Sequence, residues 1–217
     1  MYKNKRSKTI KKENNMTKFE DKYSHIKLMP YQYDAFNNDH HLCEWVKALK
    51  EKHGLTYAIE LGTCLGSTAI FLASEFDTVA TAEINPDFAK IAHERFAHYG
   101  IKNVEMYITD SRKALPEMLK TERNCLIFSD SHWYANNPLL DELAIIAASG
   151  IKPVIMIHDF KVPDHPELGF DSYGGQDYEW SWIEESIEAI YGKDSYTKTY
   201  NSEASGAMRG VMVIEPS

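Results

Sequence analysis

The sequence is poor in cysteine and has no long hydrophobic runs. Only three cysteines occur in 217 residues, without a C-x-x-C pair or a spacing typical of a metal site. The longest apolar segments, such as 144–148 and 154–157, fall far short of the ~20 residues that a membrane helix needs. No apolar stretch follows the basic N-terminus, as a secretory signal would require. We therefore expect a cytoplasmic protein without membrane contact, with reduced, partly buried thiols at Cys43, Cys64 and Cys125.

Positive charge is scarce outside the first 22 residues. Residues 1–22 carry eight Lys/Arg against three Asp/Glu, so the remaining chain has a net charge of −13 within the total of −8. We interpret residues 1–22 as a disordered basic leader and residues 23–217 as one domain, because 43% hydrophobic residues suffice for a core. The acidic body argues against a broad nucleic-acid surface. The basic leader leaves open a contact with nucleic acid or anionic lipid.

Short apolar strands alternate with amphipathic helices along most of the chain, which predicts βαβ crossovers and a parallel sheet. Two final strands have no helix between them, so they should pair antiparallel. The expected fold class is α/β, with a doubly wound, mostly parallel seven-stranded sheet and a C-terminal antiparallel strand pair. The predicted strands are 56–61, 78–82, 104–108, 125–128, 154–157, 195–200 and 211–214, and the predicted helices are 39–52, 67–74, 87–99, 113–119, 139–148 and 179–191.

A glycine-rich turn, residues 60–68 (ELGTCLGST), follows the first strand of this alternation and opens a helix. Glycines let the backbone pass close to a ligand, and a helix N-terminus suits a carboxylate or phosphate. Alone, such a turn could also be a plain tight turn. The next strand ends in Glu83, about 20 residues after the glycines, where an acid can accept both hydroxyls of a ribose. Asp87, directly after Pro86, better fits a helix-entry acid.

The segments ELGTCLGST and EINPD resemble the first two cofactor motifs of class I S-adenosylmethionine-dependent methyltransferases, especially the catechol O-methyltransferase-like group. The G-x-G-x-x-G pattern of a NAD site is absent. The resemblance implies that the turn cradles the methionine part of S-adenosylmethionine, that Thr68 helps hold its carboxylate, that Glu83 holds the ribose, and that Ile84 packs on adenine. The cofactor-binding residues it implies are Glu60, Gly62, Thr63, Gly66, Ser67, Thr68, Glu83, Ile84, Asp110, Ser111 and Asp130.

Polar residues also follow the fourth and fifth predicted strands directly. Asp130 and His132 follow one strand, and His158 and Asp159 end the other. Ligands bind outside the carboxyl ends of the strands in an open α/β sheet, so these side chains should meet there.

Two chemistries remain open for these residues. Asp130, His158 and Asp159 could hold Mg²⁺ or Mn²⁺, which would lower the pKa of an acceptor hydroxyl. Alternatively, His132 or His158 could act as general base, with Asp159 beside it, because imidazole titrates near neutral pH. A purely structural role also remains open.

The resemblance at this end is mixed. Metal-dependent O-methyltransferases carry an Asp after the fourth strand and an Asp-Asn after the fifth, but Phe160 stands here in place of the Asn. The catalytic Lys of the catechol enzymes has no counterpart. His132, Tyr134 and the His-Asp-Phe ending resemble related small-molecule and sugar O-methyltransferases better. The following loop, 161–177, is expected to form either a substrate lid or an ordinary surface loop. Arg209 would contact an acidic substrate or form a structural salt bridge.

The sequence thus predicts methyl transfer from S-adenosylmethionine to an oxygen of a small molecule, such as a sugar or polyol. Two other functions remain open. One is a cofactor-binding regulatory module without turnover, and the other is a nucleic-acid methyltransferase directed by the basic leader. The expected partners are a small acceptor molecule and, as a further option, a second copy of the chain.

Overall fold

The structure, a computed structural model, describes residues 34–120, 124–133 and 136–217. The predicted leader and Tyr134 lie outside the described residues. The strands are β1 Tyr57–Leu61, β2 Thr78–Glu83, β3 Val104–Ile108, β4 Cys125–Ser129, β5 Val154–His158, β6 Ser172–Tyr173, β7 Gln176–Asp177, β8 Tyr196–Tyr200 and β9 Val211–Pro216. The helices are α1 His40–His53, α2 Ser67–Glu75, α3 Pro86–Tyr99, α4 Ser111–Met118, α5 Leu139–Ser149 and α6 Trp180–Tyr191, and a short 3₁₀ helix spans Ala35–Asn37.

Seven strands form one sheet in the order β3-β2-β1-β4-β5-β9-β8. Strands β1 to β5 are parallel, and β9 runs antiparallel to both β5 and β8. This confirms the predicted fold class. From β1 the chain adds β2 and β3 on one side of the sheet. It then crosses back and places β4 and β5 on the other side of β1. Such a switch opens a crevice at the carboxyl ends of the strands, where ligands bind in open α/β sheets.

The sheet separates two hydrophobic cores, because successive strand residues point to opposite faces. In β1, Ile59 and Leu61 pack into one core with residues of α4, α5 and α6. Ala58, next to Ile59, packs into the other core with residues of α1 and α2. All three side chains are fully buried. The sheet is therefore covered on both faces, and its strand ends remain available for a site.

The observed bounds of the predicted strands and helices differ from the predicted ones by at most two residues, and two differences bear on the site. The helix predicted at 113–119 begins at Ser111, because the Asp110 side chain accepts a hydrogen bond from the backbone N–H of Arg112 and caps it. The loop predicted at 161–177 contains the small antiparallel hairpin β6–β7. None of the three cysteines forms a disulfide within the described residues. In the same part of the chain, no helix is both long and apolar enough to cross a membrane.

Candidate functional site

A cavity of about 700 Å³ lies at the carboxyl ends of β1, β2, β4 and β5. Eight residues of the predicted site line it: Gly62, Glu83, Ile84, Asp110, Ser111, Asp130, His132 and Asp159. Arg209, which was expected to contact an acidic substrate or form a salt bridge, also lines it. Other lining residues, which the sequence did not single out for this role, include Asn37, Phe88, Trp133 and Asp171. A second cavity of about 710 Å³ lies beside residues 161–166 and the start of α6, and no predicted site residue lines it.

Gly62 allows the turn after β1 to lie against the segment after β4. Its φ of 101° is unfavourable for other residues, and a Cβ atom there would lie 2.2 Å from the carbonyl oxygen of Asp130. The backbone N–H of Asp130 in turn donates to the carbonyl of Leu61 at 2.9 Å. The floor of the cavity therefore depends on the missing side chain at position 62.

Glu83 presents a fixed carboxylate to the cavity. It accepts hydrogen bonds from the backbone N–H groups of Cys64 at 2.7 Å and Asn85 at 2.8 Å. Burial raises the pKa of Glu83 above its usual value, although these N–H groups oppose the shift. Ile84, next in the chain, is 59% exposed and offers an apolar surface at the same wall.

Glu60 lies beneath the turn and does not line the cavity. It is fully buried and accepts a hydrogen bond from the hydroxyl of Thr81, which also bonds the hydroxyl of Thr63 at 2.5 Å. Burial raises the pKa of Glu60 to about 8, although the Thr81 hydroxyl opposes the shift. In this structure, Glu60 and Thr63 support the turn from below.

The side chains at the start of α2 bond other parts of the protein. Gly66 caps the helix, the Ser67 hydroxyl accepts a hydrogen bond from Arg95 at 2.8 Å, and the Thr68 hydroxyl accepts one from the backbone N–H of Phe36 at 2.9 Å. The Thr68 hydroxyl, which was predicted to hold the methionine carboxylate, thus accepts a hydrogen bond from the 3₁₀ helix in this structure. Neither Gly66, Ser67 nor Thr68 lines the cavity.

Glu142 of α5 organises the opposite wall. Its buried carboxylate accepts hydrogen bonds from the hydroxyls of Ser111 at 2.5 Å, Ser131 at 2.6 Å and Ser129 at 3.1 Å. Burial raises the pKa of Glu142, and the three hydroxyls oppose that shift. Glu142 was not predicted from the sequence. The sequence feature that could have identified it is an acidic residue on the same face of α5 as the apolar residues.

Five side chains form what we call the polar cluster: Asp130, His132, His158, Asp159 and Asp171. The His132 Nε2 atom lies 2.9 Å from Asp159 Oδ2, 3.5 Å from Asp171 Oδ2 and 3.8 Å from Asp130 Oδ1. The His158 Nδ1 atom lies 3.3 Å from Asp159 Oδ1 and 3.6 Å from Asp130 Oδ1. The predicted meeting of the two strand ends is therefore observed. Asp171 arrives from the loop after β5 and was not predicted.

The carboxylates favour protonated imidazoles in the polar cluster. Burial alone would lower the pKa of His132, but Asp159, Asp130 and Asp171 outweigh it and raise that pKa. Burial also opposes charge on His158, yet Asp159 and Asp130 raise its pKa well above the usual value. Burial would raise the pKa of Asp159, but His158 and His132 hold it well below the usual value. A protonated imidazole cannot take a proton, so the arrangement disfavours either histidine as general base.

Part of the polar cluster has the donor set of a metal site. Two triads, Asp130-His158-Asp159 and His132-Asp159-Asp171, bring their ligand atoms within 4.8 Å of one another. The first is the predicted metal triad. The buried His158 Nδ1 has no hydrogen-bond partner among the described residues, as expected for a ligand atom directed at a cation.

Arg209 contradicts that fit. Its Nε donates to Asp159 Oδ1 and its Nη2 donates to Asp171 Oδ1, while His132 holds the other oxygen of Asp159. Both oxygens of the carboxylate shared by the two triads are thus engaged. With Arg209 in place, the residues do not fit a divalent cation. The expected salt bridge of Arg209 is present, and it lies inside the cavity.

No protein-family model and no curated protein matches this sequence. Solved structures do match it. The O-methyltransferase TomG from Streptomyces achromogenes, involved in tomaymycin synthesis and solved with SAM, has a TM-score of 0.65 at 17% identity, over 96% of this chain and 92% of that one. An O-methyltransferase from Bacillus cereus, solved with SAH, has a TM-score of 0.67 at 16% identity, over 96% and 93%.

The chain has the class I methyltransferase fold. An rRNA methylase from Streptococcus thermophilus also resembles it, with a TM-score of 0.52 at 14% identity, over 82% of this chain and 95% of that one. The methyltransferase fold therefore accommodates more than one class of acceptor, and the acceptor has to be inferred from the site.

Proposed function

We propose that this protein transfers the methyl group of S-adenosylmethionine to an oxygen of a small molecule. The observation that carries the proposal is one continuous cavity, which joins the Gly62 turn and Glu83 to the polar cluster. Its volume of about 700 Å³ lies in the usual range for small-molecule sites. Cofactor and acceptor would thus share one space at the carboxyl edge of the sheet.

Chain residues around the cavity suit the parts of the cofactor. The fixed carboxylate of Glu83 would accept both ribose hydroxyls, and the exposed side chain of Ile84 would pack on adenine. Asp110 and Ser111 would flank the adenine from the start of α4. The SAM and SAH complexes of the two O-methyltransferases of like fold support this choice of cofactor.

The bound cofactor supplies an electrophilic methyl group on a sulfonium. The cavity would hold the acceptor hydroxyl against that methyl group, and this hydroxyl would have to give its proton to a group of the chain. We assign proton acceptance to the carboxylate of Asp130, because the histidines favour the protonated form and Asp159 is engaged on both oxygens. Positioning of the acceptor against the methyl group contributes the rest.

A small acceptor fits this site better than a nucleic acid. The chain outside residues 1–22 has a net charge of −13, and three carboxylates converge at the reacting end. Asp171 of the loop 161–177 also joins the polar cluster, where its backbone N–H donates to the carbonyl of Asp159 at 2.9 Å. A phosphate backbone would meet repulsion where it has to approach.

The test is calorimetric titration with S-adenosylhomocysteine, followed by detection of its release with sugars, polyols and catechols. Glu83→Ala should weaken binding by about tenfold or more, because hydrogen bonds to a charged group contribute about 1.5–3 kcal/mol. Glu105→Ala, an exposed acid on the neighbouring strand β3, is the matched control and should bind like the wild type. Absence of binding contradicts the proposal. Binding without any turnover favours a regulatory module.

A further inference from the structure

The backbone around Arg209 is held independently of its side chain. The N–H of Gly169 donates to the carbonyl of Met208 at 2.8 Å, and the N–H of Gly210 donates to the carbonyl of Gly169 at 2.8 Å. The side-chain amide of Asn201 donates to the carbonyl of Arg209 at 3.0 Å. These three bonds fix the position of residue 209 beside the loop that follows β5.

A slot for the guanidinium exists at Gly169. A Cβ atom on this glycine would lie 2.7 Å from Nη1 and 3.4 Å from Cδ of Arg209. A side chain at residue 169 would therefore require the guanidinium of Arg209 to shift. The slot and the backbone hydrogen bonds together indicate that the side chain of Arg209 is preorganised beside the two acids.

The guanidinium joins two carboxylates from different elements. Asp159 follows β5, whereas Asp171 belongs to the loop 161–177, and each accepts one N–H of Arg209. The planar fork of an arginine suits such a pair of acceptors, and a lysine ammonium could not reproduce it. The same contact fixes the loop to the sheet edge.

The guanidinium already occupies carboxylates that a metal would need. Arg209 forms ion pairs with Asp159 and Asp171, and Asp159 belongs to both candidate metal triads. A divalent cation would have to displace the arginine from Asp159, because two cations held at the same carboxylate repel each other.

We infer that Arg209 is the resident cation of the polar cluster, taking the place of a divalent metal ion and holding the carboxylates of Asp159 and Asp171 beside Asp130, the proposed proton acceptor. This inference rests on the proposed function for its catalytic meaning. The exclusion of a metal by the arginine does not depend on that function and is tested separately.

The experiment is a titration of EDTA-treated protein with Mn²⁺, followed by electron paramagnetic resonance and calorimetry. Wild type should show no Asp159-dependent Mn²⁺ binding, and any turnover should persist in EDTA. Arg209→Met should bind Mn²⁺ at least about tenfold more tightly than any residual binding shown by wild type, which corresponds to ~1.4 kcal/mol or more. Adding Asp159→Asn should remove that gain. Arg112→Met, which frees the carboxylates of Asp110 and Asp141 at another wall, is the matched control and should gain no Mn²⁺ site.

A second variant guards against misfolding of Arg209→Met. Gly169→Ala keeps the arginine but obstructs its slot, and it should also increase the Mn²⁺ affinity. Wild type that binds Mn²⁺ through Asp159, or folded variants that gain no Mn²⁺ affinity, would overturn the inference. Binding of S-adenosylhomocysteine, measured on the same samples, reports the proposed function separately. Its absence in wild type would refute that function without altering the Mn²⁺ result.

Discussion

At the scale of one residue, Glu60 shows how burial raises the pKa of a carboxyl group. One oxygen bonds Thr81, and the other has no hydrogen-bond partner in the described part of the chain. The pKa of Glu60 is about 8 in the folded protein, against an ordinary 4.5. The folded state therefore binds this proton more tightly than the unfolded state. The resulting stabilisation is complete below the ordinary pKa and is lost as the pH rises through about 8.

Glu60→Gln, which cannot lose a proton, should remove this part of the pH dependence. Between about pH 5.5 and about pH 8.5, the free energy of unfolding of wild type should fall relative to Glu60→Gln by at least ~1 kcal/mol, because one pKa unit corresponds to ~1.4 kcal/mol. Urea unfolding at both pH values measures it. Glu105→Gln, at an exposed position of β3, should follow the wild-type profile. Parallel profiles for wild type and Glu60→Gln would refute the assignment.

Gly62 makes a second prediction at this scale. Gly62→Ala should destabilise the fold by about 2–4 kcal/mol and abolish binding of S-adenosylhomocysteine, because the new Cβ overlaps the Asp130 carbonyl and the backbone is strained. Gly54→Ala is the matched control. Gly54 also has a positive φ, of 60°, but a Cβ atom there would meet no atom within 4 Å, so only the strain of about 1 kcal/mol remains. Equal effects of the two changes in thermal unfolding would contradict this account.

At the scale of elements, α5 connects α4 to the end of β4 through the Glu142 carboxylate. Glu142→Gln should weaken binding of S-adenosylhomocysteine several-fold and destabilise the protein by about 1–2 kcal/mol, because an amide cannot accept all three serine hydroxyls. Calorimetry and urea unfolding measure the two effects. Asp141→Asn changes the adjacent, exposed acid of the same helix and should leave stability nearly unchanged. Wild-type cofactor affinity in Glu142→Gln would remove Glu142 from the site.

The sequence predicted elements better than it predicted contacts between them. Strand and helix periodicity identified all seven strands of the sheet and their helices, because burial on two faces imposes that pattern. The start of α4 was missed because it depends on the Asp110 cap. Asp171 was missed as a partner of Arg209 because the two are 38 residues apart, and no local pattern records their contact. The side-chain directions of Ser67 and Thr68 depend likewise on distant partners.

At the scale of the whole molecule, the antiparallel pair does more than close the sheet. The connection between β8 and β9, residues 201–210, carries Arg209 to the carboxyl end of β5. It also contacts the 3₁₀ helix, since the N–H of Ala207 donates to the carbonyl of Asn37 at 3.2 Å. The strand pair thereby links the 3₁₀ helix before α1 to the polar cluster. Residues 201–210, and not only the Gly-rich turn, therefore shape the cavity.

The position of β9 has a consequence for biosynthesis. This strand fills the gap between β5 and β8, both of which precede it in the sequence. During translation, the sheet therefore cannot close until residues 211–216 have left the ribosome. Until then Asp159 and Asp171 lack their arginine, and the like charges of the polar cluster repel one another. The nascent chain would therefore pass through a stage in which the edge of β5 is exposed. An exposed strand edge is open to chaperone binding and to mispairing with other strands.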